Sequence, residues 1–174
     1  MTNTIFIFFC GYLLGLFFPD FDFYFIETLG HRSIIFHSIF LPLIFLIFSK
    51  KENLYVEVYI SGVFYGISVH LIADIFPLIW NENTFVKLPK DLIILSKYSS
   101  LLWLLLNSII GFIISLNYLK KFDKFFFYST KFEIIGFLSS LIYITLHASN
   151  YIKVIIILLV TISLIKIYHF LTKK

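Results

Sequence analysis

The stretch that decides the fold runs from Leu54 to Ile79 and reads LYVEVYISGVFYGISVHLIADIFPLI. Nearly every residue is apolar or small, and the run exceeds the roughly 20 residues that a helix needs to cross a bilayer. Three ionisable groups interrupt it: Glu57 near its start, then His70 and Asp74 towards its end. His70 and Asp74 are four apart, about 400° of helical turn, so the pattern predicts both on one face of a membrane helix. A charged group in hydrocarbon costs at least a few kcal/mol, so such a pair marks a working site unless it only ties helices together. A histidine and a carboxylate stacked this way suit zinc or manganese.

The rest of the chain repeats the apolar pattern. Of its 174 residues 60% are hydrophobic, 21% aromatic and 14% charged, whereas a soluble domain is nearer half apolar and a quarter charged. Apolar segments fall at about Thr4–Phe18, Ile34–Phe48, Leu54–Ile79, Ser99–Leu119, Phe132–Ser149 and Ile152–Leu171. The expectation is an all-α, polytopic transmembrane helical bundle of about six segments. Because the first two are short, four spans plus a re-entrant pair is the alternative. No linker, repeat or low-complexity tract divides the chain, so residues 1–174 read as one domain. The N-terminal run lacks a basic region and a small-residue cleavage site, and is expected to stay in the mature protein.

Lysines sit in short pairs between the segments, such as Lys50-Lys51, Lys120-Lys121 and Lys173-Lys174. That placement is a topology signal and excludes the single basic face of a nucleic-acid binder. With six spans, eight basic residues lie on the N-terminal side against five opposite, which favours both termini in the cytoplasm of a multi-pass membrane protein. The lone Cys10 excludes an internal disulfide and a thiolate cage, and reads as packing.

Two further polar stretches lie towards the same, extracytoplasmic side: Phe18-Pro19-Asp20-Phe21-Asp22, and Gly30-His31-Arg32 through His37-Ser38. Pro19 ends the first helix. If the chain beyond it is extended, Asp20 and Asp22 point the same way and can face one cation. His31 and His37 are six apart and cannot share an ion from a regular helix; either His31 precedes the helix or one of them stands behind a ligand. Arg32 offers a donor fork suited to phosphate. Ser38 is a candidate nucleophile but more simply bonds to local backbone. Asn107 suits interhelical hydrogen bonding. His147 reads as a substrate contact at most, and His169 as an interface residue. The polar loop from Trp80 to Tyr98 suits an interfacial lid.

Taken in order, these elements resemble the YdjM-like family of inner-membrane, metal-dependent hydrolases. That family shows L-P-D-I-D-H, then G-H-R-G-x-T-H-S, then a G-x-x-x-H-x-x-x-D helix followed by Trp and a basic-Leu-Pro. Here Pro19-Asp20-Phe21-Asp22, Gly30-His31-Arg32, His37-Ser38, Gly66 with His70 and Asp74, Trp80, and Lys87-Leu88-Pro89 stand in that order across about residues 11–90. Phe23 replaces a frequent family histidine, and the gap between the two histidines is six where the family has five. The resemblance implies metal-dependent hydrolysis.

The expected site therefore comprises metal ligands drawn from Asp20, Asp22, His31, His37, His70 and Asp74. Asp22 or Asp74 would serve as general base, and Arg32 would hold developing negative charge. The cofactor would be a divalent ion, zinc before manganese. The surroundings are the lipid bilayer, and a site this shallow favours a lipid or lipid-linked substrate. The rival readings are a proton or metal-ion transporter, which needs polar groups along a whole pathway, and a non-catalytic membrane adaptor.

Overall fold

The computed structural model describes residues 2–48, 53–77, 79–81, 84–120 and 138–143. They are mostly helical, and no strand occurs among them; pairing is limited to isolated bridges of Lys87 with Ser33 and Ile94. The helices are α1 (Thr2–Phe17), α2 (Ile26–Leu29), α3 (Phe40–Phe48), α4 (Leu54–Asp74) and α5 (Lys97–Lys120). Residues 138–143 are also helical.

Two helices, α4 and α5, are long and apolar enough to cross a membrane. A third span arises if α1 and the Pro19–Leu29 stretch, bent 48° from it, count as one. The second expected segment is not a span. Only Phe40–Phe48 is helical, nine residues and about 13 Å at 1.5 Å per residue. Its first part is diverted by hydrogen bonds that hydropathy does not register. Asp22 Oδ2 accepts the Ser33 N–H, Lys87 O accepts the Ile34 N–H, and Ser33 Oγ accepts the Ile35 N–H. The fifth and sixth expected segments, with His147 and His169, lie outside the described residues apart from 138–143. The six-segment expectation therefore reduces to two or three spans among the described residues.

Local chemistry explains the breaks. Pro19 has no N–H to continue α1 and starts a 3-10 helix over Pro19–Phe25. Gly30, at φ 72°, closes α2 with its N–H on Ile26 O in a conformation open mainly to glycine. Asn53 caps α4 through the Tyr55 N–H. That helix stops at Asp74 rather than near Ile79, because Pro77 disfavours helical geometry at the residue before it.

α1 and α4 pack backbone to backbone. A Cβ on Gly11 or Gly15 would strike the carbonyls of Tyr59 or Val63, and one on Gly62 or Gly66 those of Phe8 or Tyr12. Two Gly-x-x-x-Gly pairs facing each other allow this approach. Around the seam Phe8, Tyr12 and Leu16 bury against Tyr65 and Val69 of α4 and Phe112 and Leu116 of α5. α5 joins through small residues as well: Ser61 and Ser115 exchange hydroxyl hydrogen bonds to each other's carbonyls. Outward-facing Phe6, Phe17, Phe45, Ile47, Leu102 and Ile113 are exposed, the pattern of helices that present apolar side chains to lipid.

Candidate functional site

The end of α1, the irregular residues 31–39 and the end of α4 meet at one place. His70 sits one turn before the C-terminus of α4, so the cluster lies at the helix end rather than deep in the span. Its Nδ1 is 2.8 Å from the Leu16 carbonyl oxygen. A carbonyl only accepts, so Nδ1 carries the proton and Nε2 turns a lone pair towards the cluster. The Tyr143 hydroxyl is 3.0 Å from the same Nδ1.

His37 is fully buried between two carboxylates. Its Nδ1 is 3.1 Å from Asp22 Oδ2, and its Nε2 is 3.1 Å from Asp74 Oδ2. His70 Nε2 is 3.4 Å from the same Asp74 oxygen and 3.7 Å from Asp20 Oδ1. Asp20, His37 and His70 each offer one ligand atom, and the three atoms lie within 4.8 Å of one another. His37 Nδ1 and Nε2 and Asp74 Oδ2 are buried without a hydrogen bond of good alignment, although their neighbours stand so close. Burial disfavours a charged His37 ring, but the carboxylates against it outweigh that and carry its pKa up to about 9. Positive charge is what this spot attracts.

The expected site residues separate by position. Asp20 and Asp22 do not point the same way, as an extended chain would require. The 3-10 helix begun by Pro19 has about three residues per turn, which throws neighbours two apart to different faces. Asp20 keeps a side chain 42% exposed and faces His70. Asp22 is wholly buried behind His37, one oxygen accepting the Ser33 N–H at 2.9 Å and the other 3.4 Å from His31 Nδ1. His31 touches Asp22 rather than the Asp20–His70 group, and its ring stacks on Phe23 at 4.3 Å between centroids. Residues 31–39 are not helical, so the angular argument about His31 and His37 does not arise.

Arg32 is only 6% exposed and does not present an open fork. It donates to Asp74 Oδ1 at 2.8 Å, to the Thr84 carbonyl at 2.7 Å and to the Asp74 carbonyl at 3.2 Å. Its effect is to orient Asp74 and to join the 84–87 loop to the end of α4. Ser38 bonds locally, donating to Ile35 O and accepting the Phe40 N–H as α3 starts. Asn107 of α5 accepts the Ile39 N–H, and Trp103 of α5 donates to His37 O, so α5 holds the irregular segment in place.

Sequence reasoning missed Tyr143 and the Leu16 carbonyl. Nothing in a sequence marks a particular carbonyl, but the paired glycines of α1 and α4 were a signal that these two backbones touch. No family model matches the chain, and no curated protein or solved structure matches it.

Proposed function

We propose that the protein is a membrane-embedded, metal-dependent hydrolase acting on a phosphate or carboxylic ester of a lipid or lipid-linked substrate. The observation that carries this is the Asp20–His37–His70 group, two buried imidazoles and one half-exposed carboxylate, with each ring held from behind by another acceptor. Zinc ligands at about 2.0–2.2 Å stand roughly 3.3–3.6 Å apart in a tetrahedron, and Asp20 Oδ1 is 3.7 Å from His70 Nε2. Three protein ligands with an open fourth position is the pattern of catalytic rather than structural zinc. The order of motifs shared with the YdjM-like family over about residues 11–90 points the same way.

A bound zinc or manganese ion would supply hydroxide near neutral pH by acidifying water. The chain's own residues do the rest. Asp74 Oδ2 abuts both ligand rings, carries no hydrogen bond and is fixed through its other oxygen by Arg32, so it takes the proton of the attacking water. Asp22 keeps the His37 ring in place. Asp20, the most exposed member, marks the side from which substrate enters. That side is extracytoplasmic if both termini are cytoplasmic.

Two substitutions separate ligand from base. His70→Ala should lower metal content at least tenfold and abolish turnover of ester lipids in vesicles. Asp74→Asn should keep the metal and reduce turnover by about 10²–10⁴, the usual worth of a general base. Metal retained in His70→Ala, read by elemental analysis, would overturn the assignment. Asp22→Asn keeps an acceptor for Ser33 but removes the charge behind His37. Loss of such a supporting partner typically weakens metal binding by about 10–100-fold. Competition with a chelator measures it, and an unchanged affinity would remove Asp22 from this role.

A further inference from the structure

Below the cluster, α1, α3 and α4 enclose an apolar pocket of about 330 Å³, within the range of small-molecule sites. Leu14 and Phe18 line one wall, Pro42 and Phe45 a second, Ile60 and Val63 the third. Phe18, in the lining, stands two residues before Asp20, the exposed member of the ligand group, so the Phe18 end of the pocket is the end nearer the site along the chain. Its flanks, Leu14 and Phe45, are exposed and continuous with the outward apolar faces of α1 and α3. The pocket thus opens towards lipid along its side, and Phe18 marks the end of it nearer the cluster.

Depth identifies what it takes. Val63 and Ile60 precede His70 by seven and ten residues, about 10 and 15 Å along the helix. An extended hydrocarbon advances about 1.25 Å per carbon, from a 1.52 Å bond at a near-tetrahedral angle. A lipid with its hydrolysable bond at the cluster would lay roughly carbons 8 to 12 of one chain across Val63 and Ile60. We propose that this pocket is an acyl-chain subsite, so that the substrate is a lipid with at least one chain of about twelve carbons or more. The proposal rests on the hydrolase reading and adds the part of the substrate that anchors it. A headgroup-only ester would gain nothing from the pocket.

The test uses the full chain in phosphatidylcholine vesicles doped with phosphatidylglycerol that carries a photoactivatable diazirine at acyl carbon 10. Labelling at Pro42, Ile60 and Val63 should exceed that at the outward Leu102 and Ile113 of α5 at least fivefold. Ile60→Trp, which fills the pocket, should abolish the excess, while Ile60→Ala should keep it and shows that replacing Ile60 does not itself unfold the protein. Even labelling over both surfaces, or an excess indifferent to tryptophan, would overturn the subsite. Elemental analysis of the same samples keeps the two ideas apart. Metal without the labelling excess sinks the subsite alone, and the excess without metal would show an acyl-binding pocket but overturn both the hydrolase and the substrate role given to the pocket.

Discussion

Gly66→Val is expected to abolish the folded protein or, in any fraction that survives, the metal binding proposed for the site. A Cβ at Gly66 falls against the Tyr12 carbonyl oxygen and within 2.7 Å of the Leu16 amide nitrogen. Both are backbone atoms, so no side chain can rotate away, and α1 itself must move. Overpacking ordinarily costs about 1–3 kcal/mol, and more where the obstacle cannot yield. Leu16 also supplies the carbonyl that fixes His70 Nδ1, one helical turn beyond Gly66. Separating the helices therefore withdraws the acceptor that orients a proposed ligand. Gly111→Ala is the contrast: its Cβ faces the Ser68 hydroxyl, a side chain that can turn, and a milder loss is expected. Thermal unfolding in detergent, with metal content measured beside it, checks both. Equal melting temperatures for Gly66→Val and the unaltered protein would refute this account of the α1–α4 seam.

That seam also shows where the sequence was readable. Long apolar runs report the solvent around a helix, so α4 and α5 could be placed from composition alone. The three polar stretches each lie at the edge of an apolar run and do meet at one end, although α3 is too short to be the return span that the alternating path assumed. What failed were choices made by individual hydrogen bonds. Residues 34–39 lie in an apolar run, yet Asp22 captures the Ser33 amide, and Ser33 and Lys87 capture the amides of Ile34, Ile35 and His37, which leaves only α3 helical. The direction of Asp22 depended on whether the chain after Pro19 runs extended or as a 3-10 helix, and proline permits both. Arg32 read as a phosphate fork because its partners, the Asp74 carboxylate and the Thr84 carbonyl, are 42 and 52 residues away. The residue types that meet at this end of the bundle were legible in the sequence; which of them touch one another required positions.

Arg32→Met should destabilise the protein by about 3–5 kcal/mol, the usual consequence of breaking a buried ion pair on one side. Methionine approximates the aliphatic stem of arginine, so the change removes chiefly the guanidinium. Asp74 is then left with a largely buried charge, and the Thr84 carbonyl loses its donor. Both residues would occupy the same left-handed backbone conformation, φ 59° at this position, so that strain is common to the pair being compared. Arg32→Lys should recover only part of the loss. An ammonium restores the charge as a point, but cannot reach Asp74 Oδ1, the Asp74 carbonyl and the Thr84 carbonyl from one planar fork. The proposed metal makes a sharper forecast. A divalent cation held by His37 and His70, as proposed, would lie beside Asp74 and would compensate the same charge that Arg32 does. Chelation should therefore lower the melting temperature of Arg32→Met more than that of the unaltered protein, since ligand binding stabilises the state it selects. Equal shifts on chelation would mean that no cation shares Asp74 with Arg32, and the proposed centre would have to be abandoned.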